Sequence, residues 1–178
     1  MPSNVEIKTK LRDWAAAEAW AKRRADCGPE VLQQEDVFFA CEGARLKLRI
    51  LGPARGELIR YQRTNSAEVR LSQYQLARTD TPEVLREILA KTLGVVGVVK
   101  KTRLLFLVGQ TRVHLDRVER LGEFLELEVV LGPEQTEEEG KRIAEGLLAE
   151  LGTGKADLLA EAYVDLLNAQ GAALKAAD

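Results

Sequence analysis

Cysteine is scarce in this 178-residue chain: Cys27 and Cys41 stand alone, without CxxC spacing. Two such thiols are too few for a disulfide scaffold or a zinc site, and they read as reduced structural residues. No apolar run approaches membrane-spanning length, and the opening residues MPSNVE lack the apolar core of a signal peptide. The expectation is a soluble, cytoplasmic protein with no membrane partner. Charge of one sign is also missing. The formal net charge is −2 and the pI about 5.7, so no overall basic field draws in nucleic acid, and none is expected as a partner. Repeats, low-complexity tracts and long linkers are absent. With 46% hydrophobic and 30% charged residues, the chain has an ordinary globular balance and can bury a sizeable core. One domain over residues 1–178 is expected, as a monomer or homodimer.

Short strand-like stretches dominate what is present. Residues 3–10 (SNVEIKTK) alternate, with Val5 and Ile7 on one face and Asn4, Glu6 and Lys8 on the other. Asp13 then caps a helix that runs to about residue 26 and carries Trp14, Ala17, Trp20 and Ala21 on one side. Further strands are expected near 33–40, 43–51, 56–64 and 68–78, punctuated by Gly43 and by the Gly52-Pro53-Ala54-Arg55-Gly56 segment. Pro82 sits in the first turn of a short helix that Gly94 stops. Strands near 95–108, 111–118 and 123–131 follow. Thr136 and Glu139 form a capping-box pattern for a helix to about residue 151. A last helix near 156–169 carries Leu158, Leu159, Ala162, Tyr163, Leu166 and Leu167. Eight strands at hairpin spacing argue for an α+β fold: a closed eight-stranded antiparallel β-barrel over about 3–132, with helices on the outside.

The polar faces of these strands are ionic. Read at period two, they give Glu6 and Lys8; Arg45, Lys47 and Arg49; Tyr61 and Arg63; Lys101 and Arg103; Arg112, His114 and Asp116; and Glu126 and Glu128. A sheet with one face in water also alternates in this way. Here, however, cations gather on some strands and carboxylates on others, and Arg, which suits bidentate recognition of phosphate, is heavily used. If these faces turn inward, the lumen holds about eight cations and four carboxylates, and burying either set alone is prohibitive. A polyanion facing the cations and a hard divalent ion facing the carboxylates would balance both.

These residues resemble a known family. Asn4-Val5-Glu6-Ile7-Lys8 is similar to the ExExK signature of the CYTH superfamily, or triphosphate tunnel metalloenzymes, which includes class IV adenylyl cyclase and thiamine triphosphatase. The likeness continues through Gln34-Glu35-Asp36, Arg45-Leu46-Lys47-Leu48-Arg49, Leu58 to Arg63, Lys101-Thr102-Arg103 and Arg112 to Asp116. It extends to Leu121-Gly122-Glu123-Phe124-Leu125-Glu126-Leu127-Glu128, similar to an LGxFxExE segment, and to Ala162 to Leu167. The resemblance implies a triphosphate substrate and Mg²⁺ or Mn²⁺. It makes Glu6, Glu126 and Glu128 metal ligands and catalytic residues, with Asp116 a ligand or a support behind them. Lys8, Arg45, Lys47, Arg49, Arg63, Lys101, Arg103 and Arg112 would bind phosphate. Asn4, Tyr61 and His114 are candidate substrate contacts. Asn4 replaces the first Glu of ExExK and supplies an amide oxygen without charge, as in the cyclase-like branch. Metal-dependent triphosphate hydrolysis is the leading expectation. Cyclisation of ATP to cyclic AMP and pyrophosphate is the alternative, and non-catalytic polyphosphate or nucleotide binding a further one.

Overall fold

A computed structural model describes residues 3–63, 70–153 and 157–176. In chain order the elements are β1 (Ser3–Lys10), α1 (Trp14–Arg24), β2 (Cys27–Phe39), β3 (Arg45–Gly52), β4 (Arg55–Arg63), β5 (Arg70–Thr79), α2 (Pro82–Leu93), β6 (Val95–Val108), β7 (Thr111–Val118), β8 (Gly122–Val130), α3 (Glu137–Glu150) and α4 (Tyr163–Ala176). The eight strands close into a barrel in the order β1-β5-β4-β3-β2-β6-β7-β8, with every neighbouring pair antiparallel. Closure leaves no free sheet edge.

The barrel is apolar outside and polar inside, the reverse of a small barrel with a packed interior. On β1, Val5 and Ile7 face out, where they join Val113, Leu115, Leu125, Leu127 and Val129 in a core sealed by α1 and α3 through Ala17, Trp20, Ala144 and Leu148. A second cluster packs Leu85 and Leu89 of α2 over Val37, Phe39 and Leu48. A third closes one end of the lumen, where Tyr163, Val164 and Leu167 of α4 pack against Phe38, Val99 and Phe124, with Phe38, Val99 and Tyr163 lining the cavity. Because the apolar strand faces are spent on the helices, the ionic faces must line the lumen.

Local signals account for the helix starts. The Asp13 side chain accepts from the Ala16 amide at 2.9 Å. Thr136 and Glu139 complete the expected capping box, the Glu139 carboxylate accepting from the Thr136 amide at 2.7 Å. Both tryptophans serve packing: Trp20 is buried and its indole N–H donates to Glu150, while Trp14 donates to Glu18 and lies under the Arg117 guanidinium. Two boundaries differ from the sequence reading. β2 begins at Cys27, and its register shifts between Cys27 and Glu30. The last helix starts at Tyr163 rather than near 156. Leu158 bridges to Thr9, and the Leu159 amide donates to the Lys8 carbonyl at 2.8 Å, so this stretch extends the edge of β1 instead of coiling.

Candidate active site

A cavity of about 410 Å³ runs through the barrel. Glu6, Lys8, Lys47, Arg49, Tyr61, Lys101, Arg103, Arg112, His114, Glu126 and Glu128 all line it. Strand alternation alone brings these eleven together from six strands. Three of the other expected residues lie elsewhere. Arg45 turns its guanidinium out to Asp165 of α4, at 3.1 and 2.7 Å, because at the strand's start the helix offers a carboxylate. Asp116 is fully buried behind the wall and does not reach the cavity. Asn4 is also buried outside the lining, and its Oδ1 has no hydrogen-bond partner. The backbone of Arg63 pairs with Ser72, but its side chain falls outside the described residues.

The cations are held from behind by two aspartates. Asp36 accepts from Lys47 at 2.9 Å and from Arg49 at 2.8 and 3.0 Å, with Lys101 at 3.8 Å. Burial pushes the Asp36 carboxyl up, but Arg49, Lys47 and Lys101 outweigh it and hold it well below the ordinary range. Asp116 accepts both prongs of Arg103, at 2.7 and 2.6 Å, and the Tyr163 hydroxyl at 2.9 Å. Against the same burial, Arg103 and Lys101 bring it down to about 2. Asp36 carried no assigned role in the sequence reading. Its signal was present, since it shares a strand face with Gln34 and Phe38 in the Gln34-Glu35-Asp36 match. Tyr163 was read as helix packing, yet it lines the cavity with Lys8 and Lys101 stacked over its ring at 4.1 and 5.2 Å.

Lys101 is strongly altered by its surroundings. Burial first, and Arg103 second, lower its ammonium to about 7. His114 is lowered for the same two reasons. Its Nδ1 lies 3.8 Å from Glu126 Oε2, too far for a hydrogen bond. Below its ordinary value, it is a neutral imidazole at neutral pH.

The carboxylates occupy the opposite wall. Register sets Glu6 directly across from Glu128, and Lys8 across from Glu126. Arg103 donates to Glu126 at 2.6 Å, and Arg112 to Glu128 at 3.0 Å. Burial opposes ionisation of both. Lys8 and Arg103 hold Glu126 well below the usual carboxylate value, while His114 and Arg112 hold Glu128 below it. Three hard oxygen-donor side chains on adjacent pleats fit an Mg²⁺-like ion that draws part of its shell from substrate and water. They do not form a closed protein cage. Among the described residues, no three His, Cys, Asp or Glu side chains already converge on one point.

Comparison with known proteins bears on the family and the fold. The CYTH domain model matches residues 3–163, and the chain belongs to the CYTH domain family. Among solved structures, the PH1012 protein of Pyrococcus horikoshii OT3 is 23% identical, with a TM-score of 0.82 over 92% of this chain and 98% of that one. A putative adenylate cyclase of Vibrio parahaemolyticus is 20% identical, with a TM-score of 0.76 over 93% and 97%. A Hippeastrum protein described as a putative adenylyl cyclase with a dominant triphosphatase activity is 19% identical, with a TM-score of 0.61 over 84% and 88%. These identities speak for a shared fold. No curated protein matches the chain. No helix among the described residues is long and apolar enough to cross a membrane.

Proposed function

We propose that the protein is a divalent-metal-dependent phosphohydrolase that acts on a triphosphate held inside the barrel. One observation carries this reading. Six cationic side chains, Lys8, Lys47, Arg49, Lys101, Arg103 and Arg112, line a single cavity together with three carboxylates, Glu6, Glu126 and Glu128. A linear polyanion with bound metal complements both walls at once. CYTH membership supports it, since triphosphatases and adenylyl cyclases of this family act on triphosphates with divalent metal.

Lys and Arg side chains from β1, β3, β6 and β7 would grip the phosphate chain along its length. Asp36 and Asp116 hold Lys47, Arg49, Lys101 and Arg103 in place, so these donors are already placed when charge develops on the transferring phosphoryl group. Asp116 acts through Arg103, not on substrate. Tyr163 keeps its proton, because burial and the neighbouring Asp116 and Glu126 push its hydroxyl well above the ordinary value, and it donates to Asp116. Glu6, Glu126 and Glu128 would hold the metal, which when bound neutralises phosphate charge. Mg²⁺ or Mn²⁺ suits these donors.

The test is a panel of tripolyphosphate, ATP and thiamine triphosphate, each with Mg²⁺ and with Mn²⁺, with products identified. Release of inorganic phosphate is the expected result. Cyclic AMP plus pyrophosphate from ATP would replace hydrolysis by cyclisation. Tight binding without turnover of any member would remove catalysis altogether.

A further inference from the structure

Three of the six lumen cations meet, directly or through one carboxylate, at a single side chain: Tyr163, the first residue of α4. Its ring lies under Lys8 Nζ at 4.1 Å and under Lys101 Nζ at 5.2 Å. Its hydroxyl donates to Asp116 Oδ2 at 2.9 Å, and Asp116 in turn accepts both prongs of Arg103. Phe124 packs on the ring with centroids 4.9 Å apart and planes tilted by 59°, which fixes the ring's orientation. The side chain lines the cavity and is only 6% exposed.

Sealing the barrel does not call for a tyrosine here. Val164 and Leu167 of the same cluster do that with aliphatic side chains, whereas a buried phenol must find a partner for its hydroxyl. What the phenol adds is control over charge. Lys101 lies 3.8 Å from Asp36 and 3.9 Å from Asp116, too far for a hydrogen bond to either, so these carboxylates do not aim its ammonium. An aromatic face attracts an ammonium along the ring normal. It does so without neutralising the charge, and the lysine keeps its attraction for a phosphate oxygen.

We propose that Tyr163 is a positioning residue of the phosphate grip: its ring aims Lys8 and Lys101, and its hydroxyl steadies Arg103 through Asp116. The helix α4 thereby completes the site as well as closing the barrel. This rests on the reading of the lumen as a triphosphate site and extends that site to the C-terminal helix.

The experiment measures KM and kcat for tripolyphosphate with Mg²⁺, and calorimetric binding of tripolyphosphate without added metal, in the wild type and three variants. Tyr163→Met removes ring and hydroxyl together, and is expected to raise KM and weaken binding at least about tenfold, the scale of two lost cation–π contacts. Tyr163→Phe keeps the ring, so KM and binding should return close to wild type while kcat stays lowered through the unsupported Arg103. Leu167→Ala is the packing control, because Leu167 belongs to the same cluster but does not line the cavity. It should lower the unfolding midpoint and leave KM unchanged. If Tyr163→Met does not fold, Tyr163→Phe decides the matter, and wild-type kcat and KM in that variant overturn the proposal. So does a wild-type KM in Tyr163→Met, or a rise in KM that Leu167→Ala reproduces; either leaves the triphosphatase reading standing. A wild type that neither binds nor turns over tripolyphosphate overturns both.

Discussion

The two walls of the lumen use their carboxylates in opposite ways. On the β2–β3–β6 wall, Asp36 is 2% exposed and is wrapped by Lys47, Arg49 and Lys101, so its charge is consumed in fixing cations. On the β1–β8 wall, the Glu126 and Glu128 side chains keep 17% and 20% of their surface open. These carboxylates face the cavity with lone pairs to offer. The contrast teaches that residue type alone does not assign a role here. A carboxylate surrounded by donors is a support, and one that still reaches the lumen is available to a metal or a substrate. Arg103 joins the two walls, since its guanidinium binds both Asp116 and Glu126.

Breaking the first wall should have the largest effect on the fold. Asp36→Ala leaves two largely buried cations, Lys47 and Arg49, without their carboxylate. Removing one member of a buried ion pair typically costs about 3–5 kcal/mol, and denaturant unfolding should show a loss of that order. Triphosphate affinity should fall with it, because the freed cations lose their fixed positions. An unfolding midpoint equal to that of the wild type would mean that the cations hold themselves in place.

Breaking the second wall should separate activity from stability. Glu128→Gln keeps the shape and a partner for Arg112 but removes the charge that would hold the metal. Activity with Mg²⁺ should fall by at least about tenfold to a hundredfold, with an unfolding free energy close to wild type. Calorimetric titration of Mg²⁺ should show the same weakening. If Glu128→Gln were fully active, the metal would not be held at this wall.

A finer test of the cation wall uses pH. Lys101 is lowered to about 7 by burial and by Arg103. It is charged below that value and neutral above it. Phosphate capture by the free protein should therefore weaken as pH rises through about 7, and kcat/KM should decline on the alkaline side. Lys101→Arg keeps its charge throughout, so that limb should flatten. A limb identical in wild type and variant would assign the titration to another group.

The alternation that made the lumen legible in sequence also marks where legibility ended. Val5 and Ile7 against Glu6 and Lys8, or Leu46 and Leu48 against Lys47 and Arg49, require only the pleat's period of two. Once the barrel closes, every such series converges on the same passage. Asp116 shares that parity with Arg112 and His114, but period two cannot report depth, and the paired Arg103 and Tyr163 cover it. The start of α4 was misplaced because Leu158 and Leu159 fit a helical stripe by spacing. Pairing of Leu158 and Leu159 with the end of β1 overrode that local preference.

Arg45 offers the smallest effect and the sharpest check on where the cation wall stops. By parity it belongs with Lys47 and Arg49, yet its guanidinium sits on Asp165, and both side chains are about a third exposed. A pair this open to solvent is worth at most about 1 kcal/mol. Arg45→Ala should therefore lower unfolding free energy by no more than that and leave KM for a triphosphate close to wild type, whereas Arg49→Ala should raise KM at least about tenfold by removing a charge-assisted phosphate contact. Parallel KM measurements on the two variants decide the matter. If Arg45→Ala raised KM as much as Arg49→Ala, the ion pair with Asp165 would open in the presence of substrate, and the phosphate-binding wall would extend one pleat farther toward α4.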